Sequence, residues 1–313
     1  MKNNAATARL LNIMEVSDQQ IDKLLARYDK DLIRAYKTSL DEIRQKLAAM
    51  YEKFGDKAKY SEMASYNRLK NLQKELSQQL RDLNQNSIEI IKTEIKTIYR
   101  DSYMWSAYSY ESAVGVNLGF TLLSSKSVEA AVINPYDKIR WPNRQNEHTQ
   151  KLNQQIREEV TQGLIQGKGY PEVARAIKKR TEVAASKALK IARTESHRAQ
   201  SAGKLVAYDT AVQAAKDLGM KINKKWVATL DGRTRDTHRS MDGQTADENG
   251  MFTLPGGRKT EGPGLSGIAE EDINCRCTVR SEIAGIKATK RKDNTSKEVI
   301  PYQSFSEWEK KRF

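Results

Sequence analysis

The sequence predicts a mainly α protein with a small α+β module. An extended N-terminal helical arm, a helical hairpin or coiled coil, leads into a helical domain closed by a few short strands. Three observations point there. Apolar residues recur at steps of three and four through most of the chain up to Leu218. Past Gly219 that period yields to short runs separated by the turn dipeptides Asp231-Gly232, Asp242-Gly243 and Asn249-Gly250. Glycine and proline, at 17 and 6 in 313 residues, are scarce enough to permit long helices.

Composition narrows the class. A hydrophobic share of 38% with 30% charged residues, and a mean hydropathy of -0.74, implies much surface for little core, as in long helices or an assembly component. The length allows two domains at about 100–200 residues each. A formal charge of +14 implies attraction to polyanions, nucleic acid first among them. Residues Met1 to Val16 lack the apolar centre of a signal peptide, and no run approaches the ~20 apolar residues of a membrane span. The expectation is a chain that folds in the cytosol without a membrane, where two cysteines are no disulfide framework.

From Ser17 to Tyr51, Ile21, Leu24, Leu25, Tyr28, Leu32, Tyr36, Leu40, Ile43, Leu47 and Met50 form one stripe of a long helix, with Ser17 and Gln20 as a capping box. Phe54-Gly55-Asp56 ends it. A second stripe, Leu69 to Leu83 and Ile88 to Ile98, is interrupted by a five-residue step and suits either an antiparallel partner for the first helix or self-association. The aromatics Tyr99, Tyr103, Trp105, Tyr108 and Tyr110 fit a core seam between arm and domain, or a base-stacking platform. Val128 to Ile133 reads as a short helix stopped by Asn134-Pro135.

A further helix starts near Gln145 and ends at Gly167-Lys168-Gly169. Pro171 opens the next, and an alanine-rich helix spans Ala184 to Leu218. Inside it, Arg193, Glu195, His197 and Arg198 form a polar knot, either a solvated face or a set reaching the Asp231–His238 loop. Lys225–Leu230, Met251–Leu254 and Cys275–Arg280 read as strands around a Gly/Pro-rich loop. After Ile283 a basic tether precedes a short helix carrying Tyr302, Phe305 and Trp308 that docks either onto this protein or onto a partner.

The stretch from Trp226 to Cys277 holds both cysteines. Cys275 and Cys277, two apart, turn their sulfurs to one side of an extended strand, and His238 could join them. Three states stay open: buried thiols hydrogen-bonded to His238, a structural zinc on His238, Cys275 and Cys277, or a strained disulfide. A metal-dependent nuclease centred on His238, Asp231 and Asp236 is the enzymatic alternative. The deaminase, Walker, HExxH and G-x-S-x-G patterns are absent from the sequence, and the expectation is that the chain is not an enzyme.

The ordered set Ala192-Arg193-Thr194-Glu195, Trp226, Asp231-Gly232-Arg233-Thr234-Arg235, His238, Met241-Asp242-Gly243 and Asn274-Cys275-Arg276-Cys277 resembles the Mu F-like family, the minor head or head morphogenesis proteins of tailed bacteriophages. The resemblance covers about Gln145 to Arg280. It implies a virion component inside the head near the portal, present in the host cytoplasm during assembly. Its implied partners are the portal protein, other capsid or scaffolding proteins, and double-stranded DNA bound non-specifically; a DNA-binding protein without a portal role is the other alternative. It also implies a structural knot of Arg193, Glu195, Trp226, Asp231, Arg233, Arg235, His238, Asp242, Gly243, Asn274 and Arg276. Many relatives carry a Cys pair after the Asp-Gly turn and a His before the final cysteines, where this chain has Arg235-Asp236-Thr237-His238 and Glu271-Asp272-Ile273-Asn274, which weakens the case for a full zinc site. The expected division is a helical arm over 1–134, a linker over 135–144, the Mu F-like domain over 145–282, and a tether with docking helix over 283–313.

Overall fold

The computed structural model describes residues 2–55, 60–64, 67–133, 141–283, 290–296 and 298–311. Its helices are α1 (Lys2–Phe54), α2 (Tyr60–Ala64), α3 (Arg68–Val114), α4 (Ser125–Ile133), α5 (Trp141–Ile165), α6 (Tyr170–Asp217), α7 (Asp236–Ser240), α8 (Ala269–Asp272) and α9 (Phe305–Lys310). Three two-stranded antiparallel sheets join β1 (Ile222–Val227) to β4 (Thr278–Ile283), β2 (Phe252–Thr253) to β3 (Lys259–Thr260), and β5 (Lys290–Lys292) to β6 (Val299–Pro301). Mainly helical, with a small strand-bearing module and a long N-terminal helix, the architecture is the one the periodicity predicts.

Helix boundaries differ where local signals were overruled. Helix α1 runs straight through Ser17, because Leu10, Met14 and Ile21 continue one buried stripe and nothing between them breaks a helix. The five-residue step in α3 closes on Ser87, which is fully buried between Leu83 and Ile91 and keeps the spacing at four. The two helices expected after Gly169 are one, α6, since Arg180 to Val183 contain no breaker. Helix α5 opens at Trp141. Residues 134–140, holding the Asn134-Pro135 stop and most of the expected linker, lie outside the described residues, as do Asp56 and residues 284–289 of the tether.

Contacts divide the chain into two compact units, one of residues 1–25, 95–137 and 193–313, the other of residues 26–94 and 138–192. In the second, α1 and α3 run antiparallel, Lys46 pairing with Glu75 at 3.3 Å. Against them lies α5, tied to α3 by side-chain hydrogen bonds: Gln73 to Thr161 at 3.0 Å, Ser77 to Asn153 at 2.9 Å, and Thr149 to Asn84 at 2.9 Å. Such partly buried polar pairs are satisfied at one register and orphaned at others, so they select the alignment that burial alone leaves loose.

In the first unit, Ala207, Ala211 and Ala215 present a row of small side chains on α6 to Leu10, Met14, Tyr103 and Tyr110. Gly203 sits on the same helix because a Cβ there would collide with the Tyr99 carbonyl of α3. A second core in this unit gathers Trp226, Leu230, Met241, Phe252, Cys275, Cys277, Phe305 and Trp308. The terminal helix α9 thus docks on its own chain, started by a complete capping box between Ser304 and Glu307.

Candidate functional site

The site grows from the β1–β4 pair and the turns that flank it. Trp226 pairs with Val279 across the sheet. Its N–H donates to Gln244 O at 2.9 Å and its carbonyl accepts from Gly243 N at 2.9 Å, so the Met241-Asp242-Gly243 turn folds back on β1. Gly243 has φ +80°, a conformation that disfavours any side chain. The Trp226 indole meets the His238 ring edge-on at 5.5 Å and Phe252 likewise at 5.5 Å. His238, on the single turn α7, is only 2% exposed.

Cys275 and Cys277 lie immediately before β4, both free thiols and both buried. Their Sγ atoms stand 3.6 Å and 3.3 Å from His238 Nδ1. On the other side of the ring, His238 Nε2 is 2.9 Å from Glu271 Oε2, a charge contact rather than an aligned hydrogen bond. Thr237 Oγ1 donates to the same oxygen at 2.9 Å. The local protonation follows from these contacts. A hydrogen bond from Cys275 holds Cys277 well below the usual thiol range against the opposing effect of burial, with His238 adding to the depression. The same hydrogen bond, together with burial, pushes Cys275 well above it. Burial lowers the His238 pKa, but the Cys277 thiolate and Glu271 outweigh it and the net shift is upward.

Whether these residues fit a metal can be tested on distance. Zinc bonds of about 2.3 Å to sulfur and 2.0 Å to nitrogen, set tetrahedrally, place N and S about 3.5 Å apart. The observed 3.6 Å and 3.3 Å match, and all three ligand atoms lie within 4.8 Å of one another. A carboxylate on the far imidazole nitrogen is the arrangement that orients metal-bound histidines. The set His238, Cys275 and Cys277 is therefore capable of holding a metal ion such as zinc. Among the described residues it has three members, so a tetrahedral ion would keep one ligand from outside it.

Around this centre the motif residues brace the backbone. Asp231 accepts the Arg233 N–H at 3.0 Å and the Arg276 Nη2 at 2.9 Å, with a second bond from Arg276 Nη1. Burial raises the Asp231 pKa, yet Arg276 and the Arg233 N–H outweigh it and hold the carboxyl below its ordinary value. Arg235 donates to the carbonyls of Glu271 and Ile273. Asn274 takes φ +57°, and its N–H donates to Thr194 Oγ1 at 3.3 Å. Of the neighbouring pair on α6, Glu195 is buried beside Arg198 at 3.2 Å, and Arg193 is exposed. Asp236, proposed with Asp231 for a nuclease, has a side chain 95% exposed, and neither carboxylate belongs to the metal-capable group.

Four residues central to this site carried no sequence signal. Arg291, 1% exposed, grips Asp242 through two hydrogen bonds of 2.9 Å and 3.2 Å and also donates to the carbonyls of Ala228 and Gln303. Asp272 closes the Gly/Pro loop by accepting from Ser266 N, Ser266 Oγ and Gly267 N. Thr229 donates to the Arg276 carbonyl at 2.6 Å. Glu271 reaches the His238 ring from the single turn α8.

The family model described as "Phage Mu protein F like protein" matches residues 154–280. The chain is 32% identical over 304 residues to "Minor head protein GP7" of Bacillus phage SPP1, covering 95% of this chain and 97% of that one. It is also 34% identical over 281 residues to "NAD(+)--arginine ADP-ribosyltransferase EFV" of Enterococcus faecalis (strain ATCC 700802 / V583), covering 90% of this chain and 56% of that relative. No solved structure matches. These findings correct the expectation that the chain is not an enzyme. A relative of that similarity bears an enzyme's name, and the buried His/Cys/Cys cluster is capable of holding a metal ion. With a minor head protein matched almost end to end and the motif residues assembled around one buried centre, the chain belongs to the Mu F-like family of phage head morphogenesis proteins.

Proposed function

We propose that this head morphogenesis protein docks at the portal vertex and contacts packaged double-stranded DNA non-specifically, acting in procapsid assembly and genome delivery. The observation that carries the reading is the match to a minor head protein over 97% of its length. The charge of +14 supports the DNA contact, since cations that displace counterions from phosphates bind without regard to sequence. In this reading residues 1–134 offer an amphipathic docking arm, 135–144 link it to the family domain of 145–282, and 283–313 tether a terminal helix. Arg193, Glu195, Trp226, Asp231, Arg233, Arg235, Asp242, Gly243, Asn274 and Arg276 keep the domain rigid within a densely charged particle.

The test is co-purification with the portal protein of the same phage at low and at high salt. A complex that survives high salt supports specific docking. Recovery of nucleic acid at low salt with no portal retained removes the portal role.

The similarity to the ADP-ribosyltransferase supports a second reading, that the chain takes part in transferring ADP-ribose to arginine. Incubation with labelled NAD(+) and an arginine-rich acceptor tests it. Incorporation supports the reading, and unlabelled acceptor ends it.

A further inference from the structure

The cations of the chain are not spread evenly. Between Lys168 and Lys190 stand seven basic residues against two acids, Glu172 and Glu182. Both acids are engaged: Glu172 Oε2 accepts the Gly169 N–H at 3.3 Å, and Glu182 faces Lys178 at 3.8 Å. Arg180 is spent on Glu159 of α5 at 2.9 Å. Arg175, Lys179 and Lys190 are exposed on α6 and Lys187 is half-buried, and none has a carboxylate partner among the described residues.

Helical geometry aligns them. At 100° per residue Arg175, Lys179 and Lys190 fall within about 60° of one another, and Lys187 flanks them on the side where Arg180 reaches α5. Exposed Lys151 and half-buried His148 stand one turn apart on α5. The His148 ring registers the resulting field. Burial lowers its pKa first, and then Lys187 from α6 and Arg144 and Lys151 from α5 lower it further, with Glu147 alone opposing. Positive charge has therefore been gathered across two helices of one compact unit in excess of the carboxylates beside it, Glu147 on α5 and Glu172 and Glu182 on α6.

The geometry points to this face of the α5–α6 pair, marked by Lys151, Arg175, Lys179, Lys187 and Lys190, as the strip that receives the sugar-phosphate backbone of duplex DNA. The inference rests on the DNA contact proposed above and gives it an address. From Arg175 to Lys190 the helix rises about 22 Å at 1.5 Å per residue. That length spans about six phosphates of one strand at 3.4 Å of axial rise each. The strip offers lysines and arginine without a shaped pocket or buried polar readers, which suits backbone contact and not base readout. An acidic protein surface is the competing occupant.

The experiment compares two variants of the full chain with equal change in net charge. One is Lys151→Gln/Lys179→Gln/Lys187→Gln/Lys190→Gln. The other removes Lys23, Lys30, Lys37 and Lys53, all exposed on α1, by the same substitution. Affinity for a random-sequence duplex is measured from 50 to 200 mM salt, and portal co-purification is scored alongside. The strip variant should flatten the slope of log affinity against log salt by about 3.6, at about 0.9 per lost phosphate contact. Over that salt range it should forfeit about a hundredfold of salt sensitivity, while the α1 variant keeps the parental slope. Equal losses in both variants, or an unchanged strip variant, would overturn the assignment while leaving DNA binding intact. Loss of portal retention with DNA affinity unchanged would reassign the strip to protein docking. A parental chain that binds no DNA removes both the strip and the DNA reading.

Discussion

Replacing Arg291 by methionine should unfold the strand-bearing module far more readily than its place in the C-terminal segment suggests. Its guanidinium and the Asp242 carboxylate are 2% and 3% exposed as side chains, and they meet through two hydrogen bonds. Asp242 also accepts the N–H of Ala228 and of Phe305, each at 2.8 Å, so one carboxylate ties β1 to the start of α9. Arg291→Met leaves that carboxylate buried without a counter-ion and strips donors from the carbonyls of Ala228 and Gln303. Removing one partner of a buried pair costs about 3–5 kcal/mol. At about 2–4 °C per kcal/mol for a unit of this size, Tm should fall by about 6–20 °C.

The double variant Asp242→Leu/Arg291→Met removes both charges together and should be less destabilised than the two single losses added, because the penalty arises chiefly from the orphaned charge. Urea unfolding monitored by tryptophan fluorescence reads all three variants, and Trp226 and Trp308 both report from this core. An Arg291→Met protein within about 1 kcal/mol of the parent, or strict additivity in the double variant, refutes the reasoning.

The buried His197 should make the protein acid-sensitive. Burial, then the charges of Lys204, His238 and Arg276, push its pKa down to about 3, and its Nε2 has no hydrogen-bond partner among the described residues. The unfolded chain binds a proton below about 6.5 that the folded chain refuses until about pH 3, so stability is full above 6.5 and falls with pH through that window. At pH 5 the loss is on the order of 2 kcal/mol, and His197→Gln should lose correspondingly less between pH 7 and pH 5; parallel pH profiles for parent and variant would dismiss the effect. Metal capacity is read with cobalt(II) on the reduced protein: one equivalent with thiolate charge-transfer absorption is expected, reduced by Cys277→Ser. Glu271→Gln should weaken cobalt uptake by about 10–100-fold through the ring it orients, and unchanged uptake would deny it that role.

Much of the fold was legible because long helices announce themselves in periodicity. The stripes Leu32 to Met50 and Leu69 to Leu83 place two helices, and the change of period at Gly219 places the strands. What local signals misjudged was where helices stop. Ser17 looks like a cap in any short window, yet a buried stripe on both sides of it outweighs one capping bond. The spacing of Cys275 and Cys277 and the nearness of His238 to the Asp-Gly turns made the centre visible as a set of candidates, though not as a decision among thiols, disulfide and metal.

The linear chain by itself determined the helical class, the basic charge and the motif residues, since each is a property of short windows or of composition. Only tertiary structure decided that Arg291 belongs to Asp242, 49 positions away, and that α9 packs into the core that holds Trp226. It also set Glu271 behind His238 and left Arg175, Lys179, Lys187 and Lys190 of α6 without a carboxylate partner among the described residues. Those pairings are made across loops whose closure costs little more with each added residue, so the chain between them carries no trace of which ends will meet.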